Sequence, residues 1–597
     1  MKIRRLAILL ALLALCSCNG KAPQTTDTPT TSEEITEQLH DGFVEPPYLS
    51  SFYDIIKNNA EGSHTELYIL STLEADFRSH QNIDSSVTAS VAPYYIRIKE
   101  LSDGSFIMVY NEVKNGDGVR MLTSADGVNW GGYATVFQPT ETKKYANPEV
   151  IVLANGDLLC CAAWRITPDY LTNNSKGGIE IKRSTDNGKT WSEAQNVSTG
   201  LAWEPYFLQL RSGEVQLYWT NTTRYNLPGG NNTSTGTALL RSYDNGVTWT
   251  GNPKIPYSGQ VVAKQATEYY DHVQFYTDQM PVAVELQNGT IALALESRLD
   301  RDGNCYVTMA YSPDNWSVNI PKNGEGPADK QENMNRGGGP YLAQFPSGET
   351  VLKYSYSTIF NLKLGDPEAR VFTKNALKFD DMKNFSSFEL LSNGHTVICS
   401  GGAPYTDEKG AECFTVCTQR VNLNHALFLA EQEVTVDGNG AEWKNNGEAL
   451  FVGSKSQAQM SVRFARSGEG LGVLIDRLDY DITSEDSSTV RIALPHNKLS
   501  YIEITVKGDG SHKAFMIADG EHRDITVQCA VTNFGKPDNV EDTDEGMLIE
   551  LLIPSEYLPE SISVCPALYN KDTGKAGTYD QPEWNYETVN TTWYPLK

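Results

Sequence analysis

Positive charge is scarce in this chain. Lys and Arg number 49 against 75 Asp and Glu, a formal net charge of −26. Such a field repels nucleic acid and acidic membrane surfaces, so neither is expected as a partner. A neutral saccharide meets no such repulsion, whereas a polyanionic one would need a local basic pocket. Cysteine is sparse too, at ten in 597 residues, and no C-x-x-C or paired Cys/His spacing signals zinc. A chain of this length needs no disulfide framework, so most thiols should be small buried hydrophobes. Cys160 and Cys161 are adjacent, and Cys413 and Cys417 are near enough in sequence to bridge. Long apolar runs are missing beyond the N-terminus, and no later segment is apolar enough for a transmembrane helix.

The N-terminus is not part of the fold. Lys2, Arg4 and Arg5 precede an apolar run, Leu6 to Leu15, that is too short to span a bilayer. Leu15-Cys16-Ser17-Cys18 follows. It resembles a bacterial lipobox, with small Ser17 before Cys18, which implies cleavage there and lipidation of Cys18. Residues 1–18 therefore read as a lipoprotein signal peptide. The expected location is the bacterial cell envelope, with the chain lipid-anchored on a periplasmic or surface face. Residues 19–45, rich in Thr, Pro, Ser and Glu, cannot bury a core and read as a flexible tether.

From about residue 90 a hairpin signal repeats: an apolar strand, a polar turn with Gly, and a second apolar strand. Its turn glycines are Gly104, Gly156, Gly213, Gly289, Gly348 and Gly394, at intervals from 46 (348 to 394) to 76 residues (213 to 289). A self-similar all-β unit of this size predicts propeller blades, six of them, over 46–430. The longest interval predicts insertions at Tyr225–Thr237 and Gln265–Asp278. A second repeat is interleaved with the first. Ser184-Thr-Asp-Asn-Gly-Lys-Thr-Trp191 recurs as Ser242-Tyr-Asp-Asn-Gly-Val-Thr-Trp249, with shorter copies at Ser124–Trp130 and Ser312–Trp316. Asp accepts backbone N–H bonds in such a turn, Gly allows positive φ, and Trp packs beneath. The pattern resembles the Asp-boxes, or BNR repeats, of sialidase-like β-propellers. Its Asp residues are structural rather than catalytic.

Beyond Glu433 neither repeat continues. Short β-like runs such as Ser461–Phe464 and Tyr501–Val506 predict a β-sandwich over 431–597. Its opening, Val436-Asp-Gly-Asn-Gly-Ala-Glu-Trp443, resembles family 9 carbohydrate-binding modules, which implies a sugar-binding module; a domain that only packs is the other reading. The expected fold class is thus all-β, a six-bladed propeller followed by a sandwich. No organic cofactor is implied. A structural Ca²⁺ near Asp437 or Asn439 would need far more of a calcium loop than Asp-Gly-Asn-Gly supplies.

In a propeller the residues just before each inner strand and just after the next one face a shared central mouth. Those positions hold Arg97, Asn147, Glu149, Trp203, Glu204 and Arg336, then Trp164, Arg165, Trp219, Glu296, Arg298 and Tyr354. Paired carboxylates are what glycoside hydrolysis needs, and aromatic faces stack on sugar rings. The series Trp203-Glu-Pro-Tyr-Phe-Leu-Gln-Leu, Ser242–Trp249, Met280–Glu296 and Gly339–Leu352 looks like glycoside hydrolase family 93, the six-bladed exo-arabinanases. That resemblance implies a retaining mechanism with Glu204 as acid/base and Glu296 as nucleophile, facing each other from opposite blade mouths. The insertions depart from the family's shorter spacing, which leaves the sugar open.

Two rival readings stand beside it. Tyr95-Ile-Arg-Ile98 resembles the first-blade Arg-Ile-Pro signature of sialidases, although Lys99 stands where Pro is usual. That reading makes Arg97 a carboxylate clamp, with a triad completed from Arg165, Arg298 and Arg336. The third reading is a non-catalytic glycan-binding lipoprotein.

Overall fold

The computed structural model describes residues 72–596, apart from 114–116, 172, 223–224, 227–231, 234–235, 256–257, 266–268, 271–272, 275–277, 299–303, 321–323, 374–375, 380, 425–428, 446–448, 454–457, 519, 540, 542, 572–574, 579–589 and 591–592. The expected signal peptide, Cys18 and the tether lie outside the described residues. No helix among those described is long and apolar enough to cross a membrane. Two compact units are present: residues 80–419, and the later chain from 420 together with 72–79.

The first unit is a six-bladed β-propeller. Five blades are built from strands in chain order: Pro93–Glu100, Phe106–Glu112, Gly118–Ser124 and Trp130–Phe137 in blade 1; Lys143–Val152, Leu158–Ile166, Gly177–Ser184 and Gln195–Thr199 in blade 2; Ala202–Gln209, Val215–Asn221, Gly236–Ser242 and Gln260–Ala263 in blade 3; Gln279–Glu285, Ile291–Arg298, Cys305–Ser312 and Lys330–Arg336 in blade 4; Gly338–Gln344, Thr350–Tyr356, Ile359–Gly365 and Leu377–Phe379 in blade 5. Blade 6 breaks that order. Lys383–Leu390, Thr396–Thr406 and Glu412–Asn424 are joined by Thr72–Ile83 as its outermost strand. The two ends of the propeller sequence thus share one sheet and close the ring.

All six hairpin glycines sit between inner and second strands with φ from 78° to 113°. Each supplies the left-handed residue its turn requires. The two insertions each carry a two-stranded ribbon, Tyr225–Asn226 with Asn232–Thr233 and Tyr269–Tyr270 with Val273–Gln274.

The core lies between blades. Val109 and Val119 of blade 1 pack with Val150 and Cys160 of blade 2. Cys161 belongs instead to the next cluster, with Leu217 and Trp219 of blade 3. Consecutive strand residues face opposite sides, so the adjacent cysteines serve two different cores. No disulfide joins any of the eight described cysteines, and Cys413 and Cys417 do not bridge.

The S-x-D turns link third and fourth strands in blades 1 to 4. Ser184 Oγ donates to Asp186 at 2.7 Å, and Ser242 Oγ donates to Asp244 at 2.8 Å. Each Asp then accepts from the Thr four residues on, through both its N–H and its hydroxyl. Those bonds hold the Asp carboxyls at about 2, below the ordinary range.

The second unit is a two-sheet sandwich. Val462, Val473 and Ile549 of one sheet meet Val490, Ile504 and Val564 of the other in a single core. Its opening motif packs on an outer face. Buried Glu550 accepts the N–H groups of Asp437, Gly438 and Gly440, at 2.7 to 3.1 Å. Trp443 closes over Ala465 and Leu474.

Candidate active site

One backbone device recurs in all six inner strands. The register slips between Tyr94 and Arg97, Ala146 and Glu149, Trp203 and Tyr206, Gln279 and Val282, Gly338 and Tyr341, and Lys383 and Ser387. Each bulge contains a left-handed residue: Tyr95, Asn147, Glu204, Met280, Gly339 and Phe385, with φ from 46° to 59°. A bulge re-aims a side chain and leaves one residue out of the ladder. Proline, which has no N–H to give, tolerates that place. It follows the left-handed residue four times, as Pro148, Pro205, Pro281 and Pro340. Left-handed backbone in a Tyr, Glu, Met or Phe is costly and persists only where its surroundings enforce it.

Several of these bulges meet at the centre. Glu204, Met280, Gly339 and Phe385 line one pocket, together with Arg97, Glu149, Tyr206 and Tyr341. Tyr95 of blade 1 stacks on Phe385 of blade 6 at 4.5 Å. Its hydroxyl donates to Glu204 Oε1 of blade 3 at 3.4 Å.

Glu204 is partly exposed to the pocket yet enclosed by protein around it. Burial pushes its carboxyl up to about 7; the Thr220 hydroxyl opposes that rise and the Glu296 charge adds to it. Glu296 stands on the second strand of blade 4. Its Oε1 accepts from Gln279 Nε2 at 2.6 Å and its Oε2 from the Gly339 N–H at 2.9 Å. The sulfur of Cys305 lies 3.4 Å from Oε1. The two glutamates therefore sit on neighbouring blades, 3 and 4, not on opposite ones. The Glu296 charge reaches Glu204 because the bulge turns Glu204 inward while Glu296 lies against the blade 5 bulge.

The second residue past each left-handed one forms a deeper layer. Arg97 Nε donates to Glu149 Oε2 at 2.9 Å, and the Tyr341 hydroxyl donates to the same oxygen at 2.8 Å. Arg97 Nη1 donates to the carbonyls of Ile96 and Phe385, each at 3.0 Å. Below, Lys99 and Glu389 form a half-buried pair at 2.6 Å. Lys353, on the second strand of blade 5, is wholly buried and donates to Gly339 O at 2.9 Å. Burial, with the nearby Arg97 charge, pushes its ammonium down to about 7.

The other expected residues are dispersed. Arg165 lies over the Trp203 ring at 3.6 Å and donates to Asn147 Oδ1 at 3.0 Å. The Trp203 N–H donates to Thr222 Oγ1 at 2.8 Å. Trp219 is not a sugar platform: it is 1 % exposed, inside the blade 2–3 core. Trp164 is likewise turned away. Its N–H donates to Asn196 at 2.9 Å and its ring packs on the blade 1–2 core. Strand alternation explains both, since these residues face a neighbouring blade rather than the mouth. Tyr354 is buried. Arg336 is exposed on the outer strand of blade 4, where it donates to Asn304 at 2.6 Å. Arg298 ends its strand, and its side chain lies outside the described residues.

Tyr206, Tyr341, Lys353 and Phe385 were not singled out from sequence. Aligning the four inner strands that carry the x-Pro pair would have exposed Tyr206 and Tyr341, which occupy the place of Glu149. Lys353 carries no such signal, standing within an apolar strand.

No protein-family model and no curated protein matches the chain. Among solved structures, a protein of unknown function from Dyadobacter fermentans is similar at 15 % identity and a TM-score of 0.43, over 59 % of this chain and 99 % of that one. The sialidase of Trypanosoma rangeli, in complex with sialic acid, is similar at 12 % identity and a TM-score of 0.38, over 86 % and 96 %. A family 9 carbohydrate-binding module from Caldicellulosiruptor kristjanssonii, in complex with cellotriose, covers 29 % of this chain and 92 % of its own, at 11 % identity and a TM-score of 0.23.

Proposed function

We propose that the protein is a retaining, exo-acting glycoside hydrolase whose reacting pair is Glu204 and Glu296, with an arabinan-type chain end as substrate. The observation that carries this reading is the contrast between two neighbouring carboxyls: Glu204 lines the central pocket, and Glu296 rests against the blade 5 bulge close enough for its charge to act on Glu204. Glu204, raised to about 7 chiefly by burial, holds a proton near neutral pH. Glu296 is anchored by two N–H donors. Two carboxyl groups in unlike environments suit a division into acid and nucleophile.

Glu204 gives its proton to the glycosidic oxygen as the bond to the anomeric carbon breaks. Glu296 attacks that carbon and forms a glycosyl ester. Water then attacks the ester, Glu204 takes the water proton, and Glu296 leaves as a carboxylate. Phe385 and Tyr206 line the pocket and offer aromatic surface to the sugar, with Tyr95 stacked against Phe385.

The arginine-clamped sialidase reading has less support. Arg97 is already committed to Glu149 and two carbonyls, and Arg336 stands exposed on an outer strand. We further propose that the sandwich binds saccharide and that a lipid on Cys18 holds the chain in the cell envelope.

Product analysis on linear α-1,5-arabinan beside a sialylated glycan tests the reading. Release of short arabinose products from chain ends is the expected result, and it should vanish in Glu204→Gln and Glu296→Gln. Free sialic acid would move the chemistry to Arg97. Release from neither, across a wider set of glycosides, would leave saccharide capture.

A further inference from the structure

Away from the central pocket, three metal-ligating side chains converge on blade 6. His80 lies on the outermost strand, Cys417 on the strand beside it, and Asp381 on the segment leading from blade 5 into blade 6. His80 Nε2 is 2.7 Å from Asp381 Oδ2 and 3.3 Å from Cys417 Sγ. All three donor atoms lie within 4.8 Å of one another. Cys417 is fully buried, His80 nearly so, and the Asp381 side chain is 34 % exposed.

A Cys–His–Asp grouping can be a nucleophile with its base and orienting carboxylate, but that needs both ring nitrogens, one for the thiol and one for the carboxylate. Here a single nitrogen, Nε2, faces both partners. One imidazole nitrogen cannot donate to a carboxylate and accept from a thiol at once. Three donor atoms turned toward one point are instead what a cation requires. Zinc bonds of about 2.0 Å to nitrogen and oxygen and about 2.3 Å to sulfur, at tetrahedral angles, separate N from S by about 3.5 Å and N from O by about 3.3 Å. The N–S distance already stands within about 0.2 Å of that value. The N–O pair must open by about 0.6 Å, through rotation of an exposed Asp side chain.

We propose that His80, Asp381 and Cys417 form a site for a zinc-like divalent ion, with water in the fourth position on the exposed Asp381 side. Nitrogen, thiolate and carboxylate together favour a borderline ion over calcium or magnesium. Binding displaces the Nε2 and thiol protons to solvent. The ion ties the strand that completes the ring to the strand beside it and to the entry of blade 6, so it acts as a staple on ring closure. No local sequence spacing announces it, because His80 and Cys417 are 337 positions apart.

The test uses the full chain, stripped with chelator and then given zinc or cobalt. The expected result is one zinc retained per chain, a thiolate-to-cobalt charge-transfer band, and a higher thermal midpoint with zinc than without. His80→Ala and Cys417→Ser should each lose the ion, the band and the zinc-dependent shift. Should either variant fail to fold, X-ray absorption of the zinc-loaded wild type decides: one sulfur with nitrogen and oxygen neighbours supports the site, and a sulfur-free shell overturns it. Zinc retention well below one per chain in the wild type overturns the proposal. So does a cobalt–thiolate band that persists in Cys417→Ser.

Discussion

A Cβ placed on Gly338 would stand 1.8 Å from Oε2 of Glu296 and 2.6 Å from its carboxyl carbon. The blade 5 backbone therefore forms a wall against which that carboxylate rests, and the next N–H, that of Gly339, donates to it. Only glycine allows the approach.

Gly338→Ala should push the Glu296 carboxylate out of its seat without unfolding the blade, since Gly338 is not among the positive-φ positions. A displacement of about 1 Å at a reacting group costs on the order of 100-fold in rate. Turnover on the substrate identified by product analysis should fall by about that much. Circular dichroism and the thermal midpoint should change little by comparison.

Glu204 titrates near 7, and only its protonated form can act as acid. Activity should decline as pH rises above about 7. Stability gives a readout independent of activity. The folded-state value lies above the ordinary one, so the stabilisation is complete below about 4.5 and is lost as pH rises toward 7. At pH 8, Glu204→Gln should be the more stable protein in urea titrations, by at most about 3 kcal/mol.

Lys353 shows the opposite displacement, about 7 against an ordinary 10.5. Between those values the unfolded chain binds the extra proton, so wild-type stability should rise with pH across that window. In Lys353→Met the rise should flatten. The same variant leaves the Gly339 carbonyl without its donor, and through that peptide it should lower kcat more than it raises KM.

The turn carboxylates answer to a different measurement. Asp186→Ala and Asp244→Ala should lower the thermal midpoint and leave kcat near the wild-type value, because these groups lie on the third-to-fourth strand turns. Their pKa values near 2 mean that their contribution is present above the ordinary carboxylate range. It should be lost as pH falls from about 4 toward 2.

Two tryptophans chosen on equal grounds from sequence should behave differently. Trp219→Ala empties a core position and should destabilise by about 3 to 5 kcal/mol. Trp203→Ala should fold normally and raise KM, because it removes the ring under Arg165 beside the pocket. Chemical denaturation and steady-state kinetics on both variants check the contrast.

What the sequence determined by itself is local. Six polar turns with left-handed glycines define six inner hairpins, because a two-strand turn needs residues only a few positions apart. Four S-x-D turns mark the outer hairpins of blades 1 to 4 for the same reason. The inner-strand starts that place Glu204 near the mouth, and Glu296 near the end of a second strand, also follow from hairpin geometry. Everything that joins one blade to another had to wait for the tertiary structure. Alternation along a strand does not say which side is the mouth and which is the neighbouring blade, so Trp164 and Trp219 read the same as Trp203. Nor can it say that Arg97 will be taken by Glu149, that Gly338 will make room for Glu296, or that Lys353 will sit beneath Gly339. Strand Thr72–Ile83 closes blade 6 against Glu412–Asn424, a pairing between the two ends of the propeller sequence. Such contacts depend on how the ring closes, and ring closure is a property of all six blades together.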